Sequence, residues 1–314
     1  MTDLVSIERV VSKSGTSATD GRIVWSRQKS VWLFVHSILG ICGIFWFPQL
    51  DAFAVFLSLT ALTICAGHSV GMHRLLIHRS FQTFRPVEYM LVWLGVLVGM
   101  AGPIGMIRTH DMRDWHQRQS ICPPHPAHKA GFWTDAWWQL CCEFKLVAPP
   151  DFRLEDRVRK DNFYIWVEKT WMLQQLPVAV ILYGFGGWAW VLWGSSLRIA
   201  VSLIGHWLVG HYAHTKGHQG WIVQGLPVQG YNLPGLGLIT FGENWHGNHH
   251  AFPHSARLGV EDNQLDPGFL FIKVLEYAGL VWGVKTPDCA PMRAGLKRTT
   301  GHAIDGKRTI ATLR

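Results

Sequence analysis

The apolar runs constrain this chain more than any other feature. Ser30–Phe47 is apolar apart from two serines and His36, and Phe53–Met72 is apolar apart from small polar residues and His68. A helix needs roughly 20 apolar residues to cross a bilayer, with ~17 as the lower bound. Both runs meet this and form a hairpin around Pro48-Gln-Leu-Asp51. Leu176–Trp193 and Leu197–Val209 read as a second hairpin, joined by Gly194-Ser-Ser-Leu-Arg198. The expected fold is all-α and integral to the membrane. It is a bundle of four transmembrane helices, at about 30–48, 52–72, 176–193 and 196–213, under a cytoplasmic helical cap.

Residues 1–29 read as a loose cytoplasmic segment leading to a short interfacial helix, 30–287 as the membrane domain, and 288–314 as a basic, disordered tail. The segment before the first run carries Arg9, Lys13, Arg22, Arg27 and Lys29, whereas the Pro48–Asp51 turn carries neither Lys nor Arg. The positive-inside rule then places the N-terminus in the cytoplasm. No cleavable signal peptide is expected, because no short apolar run precedes a small-residue cleavage pattern. The net charge of +8 suits a face resting on anionic lipid, and no nucleic-acid motif accompanies it. The six cysteines form no Cys-x-x-Cys, so neither a thiolate zinc site nor a disulfide framework is indicated.

The chemistry lies in three histidine-bearing boxes beside the apolar runs: His73-Arg-Leu-Leu-Ile-His78, His110-Asp-Met-Arg-Asp-Trp-His116, and Glu243-Asn-Trp-His-Gly-Asn-His-His250. In the third, His246, His249 and His250 sit at i, i+3 and i+4, on one helical face. Neutral imidazole is a common metal ligand and suits iron. A shared metal site requires all three boxes on one side of the bilayer. Val87–Ile107 is therefore expected to be re-entrant or packed on the other helices, with Gly95, Gly99, Gly102, Pro103 and Gly105 allowing close approach and a bend. His73 and His78, at i and i+5, do not share a face of an ideal α-helix, so the span is expected to end or unwind between them. Pro267–Val284 reads as a closing amphipathic helix.

Over residues 25 to 287 the chain resembles the membrane fatty-acid desaturases, in particular the acyl-CoA Δ9 branch. The first box matches H-x4-H and the third H-x-x-H-H. Gly242-Glu243 precedes the third box, and His249-His-Ala-Phe-Pro-x-Ser-Ala-Arg257 continues it. Gln264-x-Asp266 and Leu275-Glu-x-x-Gly-Leu-Val281 are also similar. The resemblance implies two irons held almost wholly by imidazoles, O2 activation, and removal of two hydrogens from a saturated acyl chain to leave a cis double bond. It implies His73, His78, His110, His214, His246, His249 and His250 as ligands.

The second box departs from the family's H-R-x-H-H, because Arg113 and Asp114 stand where two histidines are usual. Asp114, at i+4 from His110, is expected as a carboxylate ligand. One iron is expected to be ligated differently or more weakly. His116, His211 and Glu243 are further candidates, as ligands or as residues that orient them. His125 and His128 fall near the family's structural Asp-Pro-His. Gly210 stands where the family usually has an Asn that holds a water on iron.

The expected function is an iron- and O2-dependent fatty acyl desaturase acting on an acyl-CoA, acyl-carrier or acyl-lipid substrate. Electrons are expected from a separate ferredoxin or cytochrome b5 with its reductase, since no His-Pro-Gly-Gly signature is present. A bacterial inner membrane is expected in preference to the endoplasmic reticulum. The alternatives are a hydroxylase or acetylenase on the same scaffold, or a non-catalytic lipid-binding descendant.

Overall fold

The computed structural model describes residues 8–289 and 293–299, so the expectations for 1–7, 290–292 and 300–314 lie outside the described residues. Three helices are long and apolar enough to cross a membrane: α1 (Arg27–Trp46), α2 (Leu50–Ile77) and a 41-residue helix, Gln175–Thr215. Many of their apolar side chains face outward, among them Ile38, Phe45, Leu57, Val180 and Ile181. A contiguous apolar exterior of this kind marks a lipid-facing surface.

The 41-residue helix reverses on itself. Gly187 has φ 59° and ψ −153°, a conformation essentially confined to glycine. A Cβ placed on Gly194 would lie 2.9 Å from Leu182 Cδ1, although twelve residues of straight helix would separate them by ~18 Å. The bend sits against the α1–α2 turn, where Trp190 Nε1 donates to Asp51 and Trp193 Nε1 to the Phe47 carbonyl. The hairpin expected at Gly194–Arg198 is thus corrected to Gly187. Residues 192–197 are helical, with 193–196 buried, and polar groups along this stretch find partners inside the bundle, although Ser195 Oγ has none. Arg198 donates to the carbonyl oxygens of Gly194 and Leu97 and to Gln175 Oε1.

The second half of α2, Thr63–Ile77, is wound as a π-helix. Its hydrogen bonds join residues five apart, as in His78 N–H to the His73 carbonyl at 3.1 Å. This winding puts His73 and His78 one turn apart on the same face, so the chain need not unwind between them. Against it runs α3 (Arg85–Val96), antiparallel and nearly in backbone contact. A Cβ on Gly67 would lie 2.4 Å from Gly95 N, and one on Gly71 2.4 Å from Leu91 O. After residues 97–102 the chain returns as α4 (Pro103–Gln117), which carries His110 back to the end of α2. The core between them packs Met72, Leu76, Val92 and Ile107 against Tyr164 and Val167. Burying each such side chain contributes about 1.5–3 kcal/mol.

Helix dominates, and four two-stranded antiparallel ladders join it at the histidine end. β1 (Val10–Val11) pairs with β5 (Asp151–Phe152) and β2 (Gly21–Trp25) with β4 (Cys142–Leu146). β3 (Gln82–Thr83) pairs with β7 (Val281–Trp282) and β6 (Trp221–Val223) with β8 (Leu296–Arg298). Residues 8–25 are therefore tied down rather than loose. Buried Arg9 donates to Asp111, Glu155 and the Leu76 and Ile77 carbonyls. The expected tail is corrected likewise over 293–299, where β8 is paired and Arg293 donates to the His250 carbonyl at 2.7 Å. The remaining helices are α5 (Phe132–Cys141), α6 (Asp156–Arg159), α7 (Asn162–Thr170), α8 (Gln175–Thr215, the reversing helix), α9 (Gly237–Thr240), α10 (His246–Ala251) and α11 (Pro267–Tyr277). α11 ends before the expected Val284, because Gly279, at φ 71°, turns the chain into β7.

Candidate metal centre

Among the described residues seven imidazoles gather in two groups, and His128, Asp135 and His211 form a third set of possible ligand atoms. His73, His78, His110 and His249 form the first, with one ligand atom from each lying within 4.8 Å of the others. α2 supplies His73 on its π-wound face, with His78 at its end. α4 brings His110, whose Nε2 lies 3.2 Å from His78 Nε2, and α10 brings His249. His214, near the end of α8, joins His246 and His250 of α10 in the second group. His246 Nε2 lies 3.0 Å from both His214 Nε2 and His250 Nε2. The short helix α10 thus serves both groups, since consecutive residues His249 and His250 point to different ones.

Neighbouring acceptors settle which nitrogens carry protons. Asp111 Oδ1 lies 3.0 Å from His110 Nδ1, and the Gln229 carbonyl lies 3.2 Å from His214 Nδ1. An oxygen of this kind only accepts, so each Nδ1 is protonated and each Nε2 keeps its lone pair. Carboxylates and carbonyls behind the imidazoles orient and strengthen metal ligands in this way. Burial of Glu243 opposes its charge, but His73 and Arg74 outweigh that and hold its carboxyl below the usual range. Burial, followed by adjacent imidazoles, pulls His249 and His250 well below the usual histidine value, and burial with His73 takes His246 to about 3. Imidazole nitrogens gathered in this way are what a divalent transition metal requires, and the all-nitrogen donor set fits iron.

Three candidates lie apart from both groups. Asp114 pairs with Arg118 one turn along α4, near the surface. At 100° per residue, position 114 stands about 40° from His110 around the helix, whereas position 117 stands about 20° away. Gln117 accordingly reaches the second group, with Nε2 3.2 Å from His214 Nε2 and 2.9 Å from the Pro126 carbonyl. His116 is buried beside Trp115 and Phe144, away from the other imidazoles. His211 turns its Nδ1 to Asp135 Oδ2 at 2.8 Å. Gln117 and Asp111 escaped the sequence reasoning, although the i, i+7 spacing from His110 and the His-Asp adjacency were both available.

No family model matches the chain. It is 32% identical over 238 residues to an acyl-CoA 5-desaturase of Anemone leveillei, covering 75% of this chain and 73% of that one. It is 32% identical over 237 residues to an sn-1 stearoyl-lipid 9-desaturase of Anabaena variabilis, covering 76% and 85%. It is also 33% identical over 247 residues to a chloroplastic palmitoyl-monogalactosyldiacylglycerol delta-7 desaturase of Arabidopsis thaliana, covering 76% and 63%. Apolar helices long enough to cross a membrane and clustered imidazoles that could hold a metal describe the class of protein. Within it, the chain belongs to the fatty acyl desaturase family, and so among the oxidoreductases of lipid metabolism.

Proposed function

We propose that the chain is an iron-dependent desaturase that uses O2 and two external electrons to place a cis double bond in a saturated acyl chain. The observation that carries this reading is the pair of imidazole groups served by α10. The first group would hold one iron through His73, His78, His110 and His249. The second would hold another through His214, His246 and His250. Bound iron would supply the O2 chemistry that breaks unactivated C–H bonds. The protein's own contribution is to fix the imidazoles. Asp111 and the Gln229 carbonyl lock two of them in the tautomer that presents Nε2. Packing across Gly67 and Gly95 holds α2 and α3 rigid beneath them.

The chain crosses the bilayer four times in this reading, through α1, α2 and the two arms of α8. The imidazoles lie at the end that carries Arg9, Lys13, Arg22, Arg27 and Lys29, which the positive-inside rule makes cytoplasmic. Asp114 is left out of the ligand set, and α4 approaches the second group through Gln117. Acyl-CoA and acyl-lipid substrates both occur among the relatives, with double bonds at different positions. A substrate of this class is proposed here, with electrons from a separate ferredoxin or cytochrome b5 system and a bacterial inner membrane as the location. Expression in a host lacking the activity, followed by fatty-acid profiling, tests the reading. New cis-unsaturated chains support it, and an unchanged profile or hydroxylated products would contradict it.

A further inference from the structure

The second imidazole group has three members where the first has four, and a histidine on no ligand-bearing helix stands next to it. His128 is 1% exposed, and its ring lies parallel to that of His214, at 11° with centroids 5.5 Å apart. Ring centroids inside the first group span 4.5 to 6.3 Å, so this is the spacing of neighbours at one centre. Its Nδ1 lies 2.9 Å from Asp135 Oδ2, which also receives Trp207 Nε1–H at 2.9 Å and His211 Nδ1 at 2.8 Å. The carboxylate accepts only, so Nδ1 is protonated and Nε2 carries a bare lone pair. That Nε2 is buried and has no hydrogen-bond partner, which is costly unless something fills the role.

Two backbone features make room for this arrangement. His128 has φ 53°, a left-handed conformation uncommon for a residue with a side chain and often found where function requires it. Position 210, one turn before His214, is glycine, and a Cβ there would meet His128 Nε2 at 3.4 Å. The ring occupies the space that a side chain at 210 would fill. His128 nevertheless falls outside the set of three whose ligand atoms lie within 4.8 Å of one another. A bridging water is the ordinary way for a lone pair outside a ligand set to act on it.

We propose that His128, oriented by Asp135, holds a water on the open side of the metal bound by His214, His246 and His250. It is a positioning residue for that metal, and the assignment rests on the desaturase reading above. A hydrogen-bonding partner of this kind is worth about 10- to 100-fold in metal affinity. The test is iron content per chain after a timed chelator challenge of the purified full-length protein in detergent. The wild type should keep iron in both groups. His128→Ala should keep the first group's iron and release the second about 10- to 100-fold more readily. His128→Phe, which preserves the stacked ring, guards against simple collapse and should behave alike. Asp135→Asn should shift in the same direction by less. Adding Gly210→Asn to His128→Ala, which aims a polar group at the vacated space, should restore retention. Folded His128→Ala and His128→Phe proteins that retain both irons like the wild type would overturn the proposal. A wild type that binds no iron would instead overturn the desaturase reading itself.

Discussion

Individual side chains divide cleanly into those that converge in the two imidazole groups and those that only neighbour them. His249→Ala removes a member of the first group on the helix shared with the second. Activity should fall below detection and bound iron should drop, while membrane insertion stays unchanged because the imidazoles do not hold the spans together. Fatty-acid profiling and iron analysis of the same membranes check this, and full activity would contradict it. Asp114→Asn should change activity less than about twofold, since an exposed ion pair such as Asp114–Arg118 contributes only ~0–1 kcal/mol. Gln117→Leu, by contrast, removes the α4 group beside His214 and should reduce activity at least tenfold, about 1.4 kcal/mol in barrier terms. Most of the site was legible because histidine spacing reports helical faces directly. His73/His78, His110, His214 and the third box all fall in the two groups. In the second box Asp114 is expected beside His110 at i+4, but i+7 lies closer in angle, and Asp114 has Arg118 within reach. His128 could not be placed from spacing, since the irregular loop between α4 and α5 decides where it points, and with it the register of Asp135 in the first turn of α5.

Whole elements were legible as far as apolar length alone decides them. α1 and α2 begin and end near the limits of their runs. The reversal in α8 was misplaced because Gly186-Gly187 lies in unbroken apolar sequence, while Gly194–Arg198 looks polar. Inside the bundle, however, Ser196 Oγ lies 3.3 Å from His36 Nδ1, and Arg198 spends its donors on carbonyls. The π-winding of α2 has no signature in composition, and it alone lets an i, i+5 pair share a face. The N-terminal element makes a separate prediction. Arg9 neutralises Asp111 and Glu155 in a largely buried cluster. Arg9→Ala removes that shared partner, leaving Asp111 only His110 and Glu155 only Arg79, and should cost about 1–3 kcal/mol, read as a lowered unfolding temperature in detergent. Burial opposes ionisation of Glu155, but Arg9 overcomes this and holds its carboxyl below the ordinary value of 4.5. A carboxyl depressed in the folded state stabilises above its unfolded value and loses that contribution as pH falls through the folded one. Wild-type stability should therefore decline below about pH 4.5, and Glu155→Gln should flatten that part of the profile. An identical acid profile in the variant would remove Glu155 from the account.

For the molecule as a whole, everything turns on one end of a membrane bundle. Single cysteines at Gln82, beside the first box, and at Ser120, beyond the second, should label from the same side in a cysteine-free background. A cysteine at Gln49 should label from the other side. Labelling of Gln82 and Ser120 from opposite sides would mean that the α3–α4 passage crosses the bilayer, and a shared centre could not form. The most direct measurement of the central claim is X-ray absorption at the iron edge, with metal quantified in the same purified sample. The account predicts an iron for each imidazole group, in a light-atom shell with imidazole scattering and no sulfur, despite six cysteines in the chain. Iron ligated by sulfur, or a fully folded chain that takes up none, would contradict it.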